Sequence, residues 1–347
     1  DYGVAQNRIR IYIVGFLEER YFLKFSLKKP QGNTVKLADI LSKNKKMSLE
    51  NNQQQDLFGH PLSNKSMSLS SNDGLNDYFL FNDLRNGHST IHSWDILNTS
   101  EKQKNICYLL LKNRRKNKYG KLDGNPLSLK HFQDLDHSIT KADLDDLVKL
   151  GILKPESYAF QVKNRLSNEL TPEETSILEE IPEGFFVIDD LKSKKTLKSK
   201  KINIHKNIQN LIDKKIISCT ETRYDFKNTK ISTGLFGVNR IFLPTSNIFP
   251  TLVASDSYDY ITDVSICKNR PLDYKNNFIE QVYKKGNYRK ITKEEACLIQ
   301  GFPENFSLPE SRSRWMKLIG NSVSVPVIQM LGQCIIDTGV FDGNETL

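Results

Sequence analysis

The chain has 347 residues, enough for two domains, and its 38% hydrophobic content with a mean hydropathy of -0.50 is typical of a protein with a sizeable core. Its 50 Lys and Arg residues exceed its 41 Asp and Glu residues, and the net charge of +9 favours a polyanionic partner, either nucleic acid or a membrane surface. No apolar run approaches the roughly 18 residues that a bilayer span needs, so no membrane-spanning segment is expected.

Near the beginning, residues 11–16 form an apolar, β-branched run that predicts a strand buried on both faces of a parallel sheet. Such a strand needs neighbouring strands and covering helices, so we expect more of a sheet to precede it in the parent molecule. Arg8 and Arg10 lead into the run at alternate positions and would share one face of it. By themselves they favour a solvated strand entrance over a site.

The next part of the chain is polar and basic. Residues 43–74, rich in Asn, Gln, Ser and Lys, predict a long loop or disorder because they offer little apolar surface to bury. A helix is expected from near Ser100 to about Leu111. It runs into a basic stretch, residues 112–121, which is either a solvated face or a phosphate contact with about even odds.

Two similar helix-to-strand units follow. Residues 139–153 predict a helix that Thr140 caps and Gly151 stops, and residues 203–217 predict a second helix with one apolar face. Each passes into a strand-like run, at 158–162 and 222–226. DNA-binding winged helices have this pattern, but ordinary core packing produces it more often. Between the units, residues 192–201 form a second basic run that is expected to be flexible.

The last hundred residues contain two well-marked helix ends. Residues 288–303 predict a helix that starts with a capping box between Thr292 and Glu295 and ends at Gly301, a residue suited to the left-handed conformation. Residues 319–327 predict a Gly-Asn-Ser turn that opens a helix with Pro326 in its first turn. Such a turn can present backbone N–H groups to a ligand, although most are only caps.

Four segments in a specific order carry a family resemblance: the Gln6-x-Arg8-x-Arg10 run, the Thr251-Leu252 pair, residues 289–303 and the run from Gly320 to Val323. They resemble the carboxy-terminal portion of DNA cytosine-5 methyltransferases. The resemblance implies an α/β fold, made of the terminal part of a Rossmann-like, S-adenosylmethionine-dependent methyltransferase domain and a large mixed α+β target-recognition domain. The implied boundaries are 1–28 for the catalytic part, 29–284 for the recognition domain and 285–347 for terminal motifs that pack back on the catalytic domain.

The resemblance also implies roles for individual residues. Arg10 would contact O2 of a cytosine flipped out of the DNA duplex, with Arg8 bracing the site and Gln6 completing the motif. The residues implied to contact S-adenosylmethionine are Asn321, Ser322 and Val323. The residues predicted to lie on the side of bound double-stranded DNA are Thr251, Leu252, Arg240, Arg114, Arg115, Lys116 and Arg289, the last through a helix that buttresses the recognition domain.

Some of the family's motifs do not occur in this sequence. None of the five cysteines follows a proline, so the nucleophile motif is absent, as are the Phe-x-Gly-x-Gly cofactor loop and the Glu-Asn-Val block, and Leu298 stands where the family often has arginine. The cysteines form no CxxC pair, which favours a reducing, cytoplasmic setting without zinc or disulfides, and Cys297 and Cys334 are expected in the core.

Three hypotheses follow from this mixture of motifs. The sequence is a truncated form of an intact enzyme of a bacterial restriction-modification system, or a subunit completed by a partner that bears the other motifs, or a non-catalytic DNA-binding module. In each case the chain is expected not to methylate DNA alone.

Overall fold

The computed structural model describes residues 4–6, 8, 10–28, 35–44, 75–121, 124–163, 170–235, 237–268, 270–303 and 305–342. Its helices, in chain order, are α1 (Glu19–Lys24), α2 (Leu37–Asn44), α3 (Ser93–Ile96), α4 (Glu101–Asn113), α5 (Leu129–Leu135), α6 (Lys141–Lys149), α7 (Pro172–Glu180), α8 (Ile188–Ser193), α9 (Lys195–Ser199), α10 (Ile204–Asp213), α11 (Thr229–Thr233), α12 (Pro271–Phe278), α13 (Lys293–Gln300), α14 (Arg312–Asn321) and α15 (Val325–Ile336). The strands are β1 (Tyr78–Phe81), β2 (Thr90–Ile91), β3 (Leu127–Ser128), β4 (Leu153–Val162), β5 (Phe185–Val187), β6 (Ile217–Phe226), β7 (Arg240–Phe242) and β8 (Asp259–Ile261).

The chain divides into two compact units. Unit 1 consists of Asp1–Ile91 together with Phe236–Leu347, and unit 2 consists of His92–Leu235. Both combine helices with a β-sheet, which agrees with the predicted mixed α/β class. The predicted boundaries after residues 28 and 284 separate a catalytic part from a recognition domain, whereas the two units are defined by compactness. The predicted boundaries therefore stay a prediction.

Unit 1 is built on a mixed sheet in the order β2-β1-β7-β8. β1 pairs with β2 in parallel and with β7 antiparallel, and β7 pairs with β8 in parallel. Against this sheet lies a core that gathers apolar side chains from both ends of the unit, among them Ala5, Leu37, Phe249, Leu252 and Trp315. Residues far apart in sequence therefore share one hydrophobic cluster.

The last helices of unit 1 have the predicted ends, with one exception. Thr292 and Glu295 form the capping box of α13, and Gly301 ends that helix with a φ of 82°, in the left-handed region. Pro326 lies in the first turn of α15 as expected. The predicted Gly-Asn-Ser turn is wrong, because Gly320 and Asn321 still belong to α14 and the turn consists of residues 322–324.

The strand predicted at 11–16 is also wrong. These residues adopt no regular structure, and Ile11 and Ile13 are 90% and 94% exposed. A strand requires a hydrogen-bonded neighbour, and none of the described strands lies beside this run. Of the predicted loop at 43–74, only residues 43 and 44, at the end of α2, are described; the rest lies outside the described residues.

One part of unit 1 bears on the expectation that the chain has no membrane-spanning segment. The stretch Arg312–Ile336 is long and apolar enough to cross a bilayer by length and composition, with a mean hydropathy of 1.4 over its most apolar window. A single stretch of this kind is weak evidence, and here it is two helices, α14 and α15, separated by residues 322–324.

Unit 2 contains an internal repeat. Its first half places β3, α5, α6 and β4 in succession, and its second half places β5, α8, α9, α10 and β6 in the same succession, with α9 added. The helix-to-strand turns match in detail: Gly151 and Lys215 both have positive φ, and the next residues, Ile152 and Ile216, each donate a 3.0 Å bond back to the preceding helix.

The two halves exchange strands. In the antiparallel sheet β3-β6-β4-β5, the long strands β4 and β6 pair along their whole length, while β3 of the first half pairs with β6 and β5 of the second half pairs with β4. Consequently Tyr224 and Phe226 of β6 lie in the core of the first half, whereas Tyr158 and Phe160 of β4 lie in the core of the second. Neither half has a complete core without the other.

This arrangement refines the predictions for the middle of the chain. The helix from Ser100 is confirmed, with Ser100 as its cap. The helix predicted at 139–153 ends earlier, at Lys149, and β4 already begins at Leu153. The basic run 192–201 is not an unstructured linker, because it contains the end of α8 and all of α9, with Leu197 buried. The two long strands pair with each other rather than forming separate wings.

Candidate functional site

The segments that carry the sequence motifs come together in unit 1. The N-terminal segment forms a parallel bridge between Gln6 and Phe249, reinforced by a 2.9 Å bond from the N–H of Phe249 to the carbonyl of Ala5. In the same unit, Arg289 forms an antiparallel bridge with Ile261 of β8. The QxRxR run, the Thr251 region and the two C-terminal segments are therefore parts of one compact unit.

Arg8 links three of these segments through its guanidinium group. Its Nη1 donates to the carbonyl of Leu252 at 3.1 Å, and its Nη2 donates to the carbonyl of Gly320 at 3.0 Å and to the carbonyl of Ser322. Burial lowers the pKa of Arg8, and the nearby charge of Arg10 lowers it further. A guanidinium group is suited to this task because it offers several donors in a fixed plane.

Gln6, Arg8 and Arg10 all line one groove of about 870 Å³, together with apolar side chains of the N-terminal segment and of α15. Arg10 is exposed at this groove, whereas both side-chain amide atoms of Gln6 are buried and form no hydrogen bond with the described residues. The hydroxyl of Ser324, also at the groove, is likewise buried without such a bond. Buried polar groups normally have partners, so the Gln6 amide and the Ser324 hydroxyl are unusual among the residues that line this groove.

A smaller cavity of about 440 Å³ contains all three predicted cofactor residues, Asn321, Ser322 and Val323. Phe302 and Ile328 complete an apolar wall. The hydroxyl of Ser322 donates to the carbonyl of Ile319 at 2.6 Å, which leaves its lone pairs available as acceptors. The volume lies within the range of about 300–1,000 Å³ that is usual for small-molecule sites, and a mostly apolar wall with a few polar groups is their usual lining. The residues present thus fit an S-adenosylmethionine-sized ligand.

Phe302 was not predicted as a site residue. It follows Gly301, whose left-handed conformation turns the chain at the end of α13, and it packs against Phe306 with ring centroids 4.4 Å apart. The sequence did contain a signal, an aromatic residue directly after a helix-ending glycine. That glycine and its neighbours were interpreted only as a helix cap.

The two predicted DNA-contacting residues of the Thr251 region differ in exposure. Thr251 is half-buried, while Leu252 is 3% exposed and its side chain lies in the core of unit 1. The loop that follows is fixed by Asp256, which accepts bonds from Lys290 at 2.9 Å and from Nε of Arg312 at 2.8 Å. The contact of this pair with DNA stays a prediction.

Two other predicted arginines of unit 1 are held by buried carboxylates. Arg289 forms a bidentate pair with Glu295 at 2.7 and 2.8 Å, and the Glu295 side chain is 1% exposed. Arg240 forms a bidentate pair with Asp259 across β7 and β8, at 2.6 and 3.0 Å. Both guanidinium groups already have planar, two-point partners.

The remaining predicted DNA contacts lie in unit 2. Arg114 donates to Asp225 at 3.0 Å and lies over the ring of Phe226, with its side chain only 16% exposed. Arg115 and Lys116 are exposed at the end of α4. The structure therefore places Arg114 in the interior of the first half and its two neighbours on the surface.

The cysteines take no part in these cavities. Cys297 and Cys334 are buried as predicted, and Cys107 is fully buried. Burial, followed by the charge of Glu294, raises the pKa of Cys297, so the thiolate that a nucleophile needs is disfavoured there. Within the described residues, no group of three or more His, Cys, Asp and Glu side chains could hold a metal ion.

Comparisons with known proteins give a consistent family. The family model described as C-5 cytosine-specific DNA methylase matches residues 1–196 and 150–337. The Type II methyltransferase M.HgiBI of Herpetosiphon aurantiacus is 32% identical over 99% of this chain and 64% of its own length, and the Type II methylase M.HgiEI of the same organism is 32% identical over 96% and 64%. The Type II methyltransferase M.NlaIV of Neisseria lactamica is 23% identical over 97% and 62%. This chain thus spans somewhat less than two thirds of each of these relatives.

Among solved structures, a mutant of DNMT2 from Spodoptera frugiperda shares 23% sequence identity over 28% of this chain and 34% of its own, with a TM-score of 0.22. Similarity at this level does not define the fold.

Proposed function

This chain belongs to the C-5 cytosine-specific DNA methylases, and from that premise we propose that it is the carboxy-terminal portion of an enzyme that methylates C5 of cytosine within a specific DNA sequence, in a restriction-modification system. The observation that carries the proposal is the three-point contact of Arg8 with Leu252, Gly320 and Ser322. It joins three motif segments within unit 1, as a shared active site requires.

The positions of Arg10, Gln6 and Arg8 indicate a different role for each residue. Arg10, exposed at the groove, would donate to O2 of a cytosine that has left the helix, and its fixed positive charge would stabilise charge developing on the ring. Gln6 offers an unpartnered amide at the same groove. Arg8 is a positioning residue, because both of its terminal nitrogens donate to backbone carbonyls.

S-adenosylmethionine, when bound, supplies the methyl group. Asn321, Ser322 and Val323 would hold it in the smaller cavity, with Phe302 as an additional apolar surface. In this proposal the fold around the cavity is the terminal part of a Rossmann-like domain. Thr251, Arg240 and Arg289 belong to the adjoining recognition machinery, the two arginines as supports held by Asp259 and Glu295.

The nucleophile and the remaining catalytic motifs would come from outside these residues, either in the same polypeptide or from a partner subunit. The exposed apolar side chains of Ile11, Ile13 and Leu17, together with the half-exposed apolar surface of α15, support such a complement, since apolar surface of this extent usually marks a contact. The same exposed apolar surface also supports a second candidate function, in which the chain is a partner subunit or a DNA-binding module without activity of its own.

The decisive experiment is complementation. The chain is expressed alone and together with a polypeptide bearing the missing motifs, and genomic cytosine methylation is measured by bisulfite sequencing. We expect methylation only in the combination. Arg10→Ala should abolish it while S-adenosylmethionine binding, measured by calorimetry on the combined protein, is retained.

The matched control is Arg85→Ala, which removes an arginine that is 90% exposed in unit 1 and should leave methylation unchanged. Sequence-specific DNA binding without methylation in any combination would instead favour the non-catalytic module. Equal activity of Arg10→Ala and the parent protein would contradict the role assigned to Arg10.

A further inference from the structure

The two halves of unit 2 are alike in fold but opposite in charge. In the first half, residues 129–151, which comprise α5, α6 and their connections, contain three lysines and five aspartates. In the second half, the corresponding residues 188–215 contain nine lysines and three aspartates. Since a similar succession of elements is built with both compositions, a lysine-rich composition is not a requirement of the fold.

Several of these lysines are exposed on two consecutive helices, α9 and α10, and on the connection between them. α9 is anchored by Leu197, which is 1% exposed, and α10 by Ile208 and Leu211. On α9, on α10 and on the connection between them, four exposed lysines form neither an ion pair nor a side-chain hydrogen bond with the described residues: Lys195, Lys198, Lys201 and Lys206. The exposed Lys200 differs, because its Nζ donates to the hydroxyl of Ser176 at 3.0 Å. We call these four residues the lysine face.

Neighbouring lysines behave differently. Lys194 pairs with Glu180 at 3.3 Å, and Lys214 pairs with the fully buried Glu174 at 2.7 Å. These two contribute to the packing of the second half, as Arg114 does in the first half through Asp225. The four residues of the lysine face, by contrast, form no such ion pair with the described residues.

Backbone conformation supports a role for the side chains themselves. Lys201 and Lys215 have φ values of 53° and 59°, in the left-handed region that disfavours residues with a Cβ atom. Of these two, Lys201 belongs to the lysine face, whereas Lys215 lies outside it, at the position that corresponds to Gly151 in the first half, where glycine adopts a φ of 71°. A lysine at a position suited to glycine reduces stability, and such a departure from local preference is expected where the side chain has a function.

We propose that the lysine face binds the phosphate backbone of double-stranded DNA, and that the corresponding surface of the first half does not. The choice of DNA as the polyanion rests on the proposed function. Exposed lysines without acidic partners neutralise phosphates as point charges and release counterions, so the contact contributes affinity and orientation rather than sequence preference.

The test compares two matched triple variants of the full chain: Lys198→Gln with Lys201→Gln and Lys206→Gln, and, as control, Lys130→Gln with Lys141→Gln and Lys149→Gln. Both variants remove three exposed positive charges from the helical segment between the two strands of one half, residues 188–215 or residues 129–151. Binding to a fluorescent duplex of random sequence is measured by anisotropy over a range of salt concentrations. Each lost phosphate contact lowers the slope of log K against log salt by about 0.9.

We expect the lysine-face variant to bind more weakly and to lose roughly two to three units of slope, while the control keeps the slope of the parent chain. Equal losses in both variants would show a general charge effect and overturn the proposal, as would an unchanged slope. Loss of binding to vesicles containing anionic lipid, with duplex binding retained, would also overturn it and assign the surface to a membrane.

A single variant separates stability from binding. Lys201→Gly relieves the left-handed strain, so its melting temperature should rise, while its duplex-binding slope should fall by about one unit. An unfolded variant could not show a higher melting temperature together with a lower slope. The binding experiments measure no methyl transfer, so a failure of the complementation experiment would not affect the assignment of the lysine face. Conversely, an unchanged salt slope in the lysine-face variant would not affect the proposed methyltransferase activity.

Discussion

At the scale of single residues, the carboxylate of Asp256 holds the loop after Leu252 to the rest of unit 1. It accepts bonds from Lys290 and Arg312, and Arg312 also donates to the carbonyl of Ile291 at 2.7 Å. Burial alone would raise the pKa of Asp256, but the two cationic donors outweigh it and lower the pKa to about 2. The charged form of this side chain is therefore stabilised by folding.

We expect Asp256→Asn to destabilise unit 1 at pH 7, by about 1–2 kcal/mol after allowance for the partial exposure of the group. Because the pKa in the folded state lies below the ordinary value of 3.8, the contribution is complete above pH 4 and is lost as the pH falls from about 4 towards 2. The difference between parent and variant should therefore shrink at pH 3.

The measurement can be confined to unit 1, since the two tryptophans lie one in each unit. Urea unfolding followed by the fluorescence of Trp315 in a Trp94→Phe background reports on unit 1 alone. Asp273→Asn, which breaks an exposed pair with Arg270, is the control and should change stability by less than about 0.5 kcal/mol. An unchanged difference between pH 7 and pH 3 would contradict the linkage.

At the scale of elements, α14 passes very close to the chain at residues 253 and 254. A Cβ atom added at Gly320 would lie 2.5 Å from the carbonyl carbon of Val253 and would also meet the backbone nitrogen of Ala254. Backbone cannot move aside as a side chain can. The glycine thus allows α14 to pack on the loop whose carbonyl at Leu252 binds Arg8.

We expect Gly320→Ala to lower the stability of unit 1 by about 1–3 kcal/mol, although alanine is the better helix former. Gly332→Ala is a matched control within α15, because its added Cβ meets none of the described atoms within 4 Å. That variant should gain about 0.5–1 kcal/mol. Thermal unfolding of both variants decides the question, and stabilisation by Gly320→Ala would disprove the close packing.

The elements also show what can be predicted from sequence. The N-terminal ends of α4, α6 and α13 were predictable because a capping box is local: Ser100, Thr140 and Thr292 bind residues three positions later. The apolar run at 11–16 predicted a strand, but a strand depends on partners that its own residues do not specify. The sequence predicted Gly320 in a turn, whereas it lies in α14. Glycine is needed there because residues 253 and 254 pack closely against it, and this tertiary contact cannot be read from the local sequence.

At the scale of the whole molecule, the exchange of strands in unit 2 makes its two halves interdependent. The first half needs Tyr224 and Phe226, and the second half needs Tyr158 and Phe160. We expect a fragment of residues 92–163 and a fragment of residues 170–235 each to be largely unfolded alone. Mixed in equal amounts they should recover the β-sheet signal and a cooperative transition.

Circular dichroism and the fluorescence of Trp94, which is buried in the core of the first half, monitor the recovery. Residues 92–235 as one polypeptide provide the reference. A cooperative transition in either isolated fragment would contradict the interdependence, since it would mean that one core is complete without the exchanged strand.

The similarity of the two helix-to-strand units was visible in the sequence, but the exchange was not. The apolar stripe of α6 predicts that the helix is buried, yet it does not specify whether β4 or β6 covers it. In the same way, the sequence placed Arg114 in a basic run, and only the position of Asp225 on the opposite half's strand shows that this arginine is an interior ion pair.

The exchanged strands also have a consequence during protein synthesis. The core of the first half cannot close when Val162 leaves the ribosome, because its covering strand ends at Phe226. At typical rates of elongation the intervening segment takes roughly 3 to 13 seconds to appear. During that interval the nascent chain exposes Ile106, Leu144 and Leu147, side chains that become fully buried later. Unit 2 is thus a segment whose yield in the cell should depend on translation speed and on chaperones that shield emerging apolar surface.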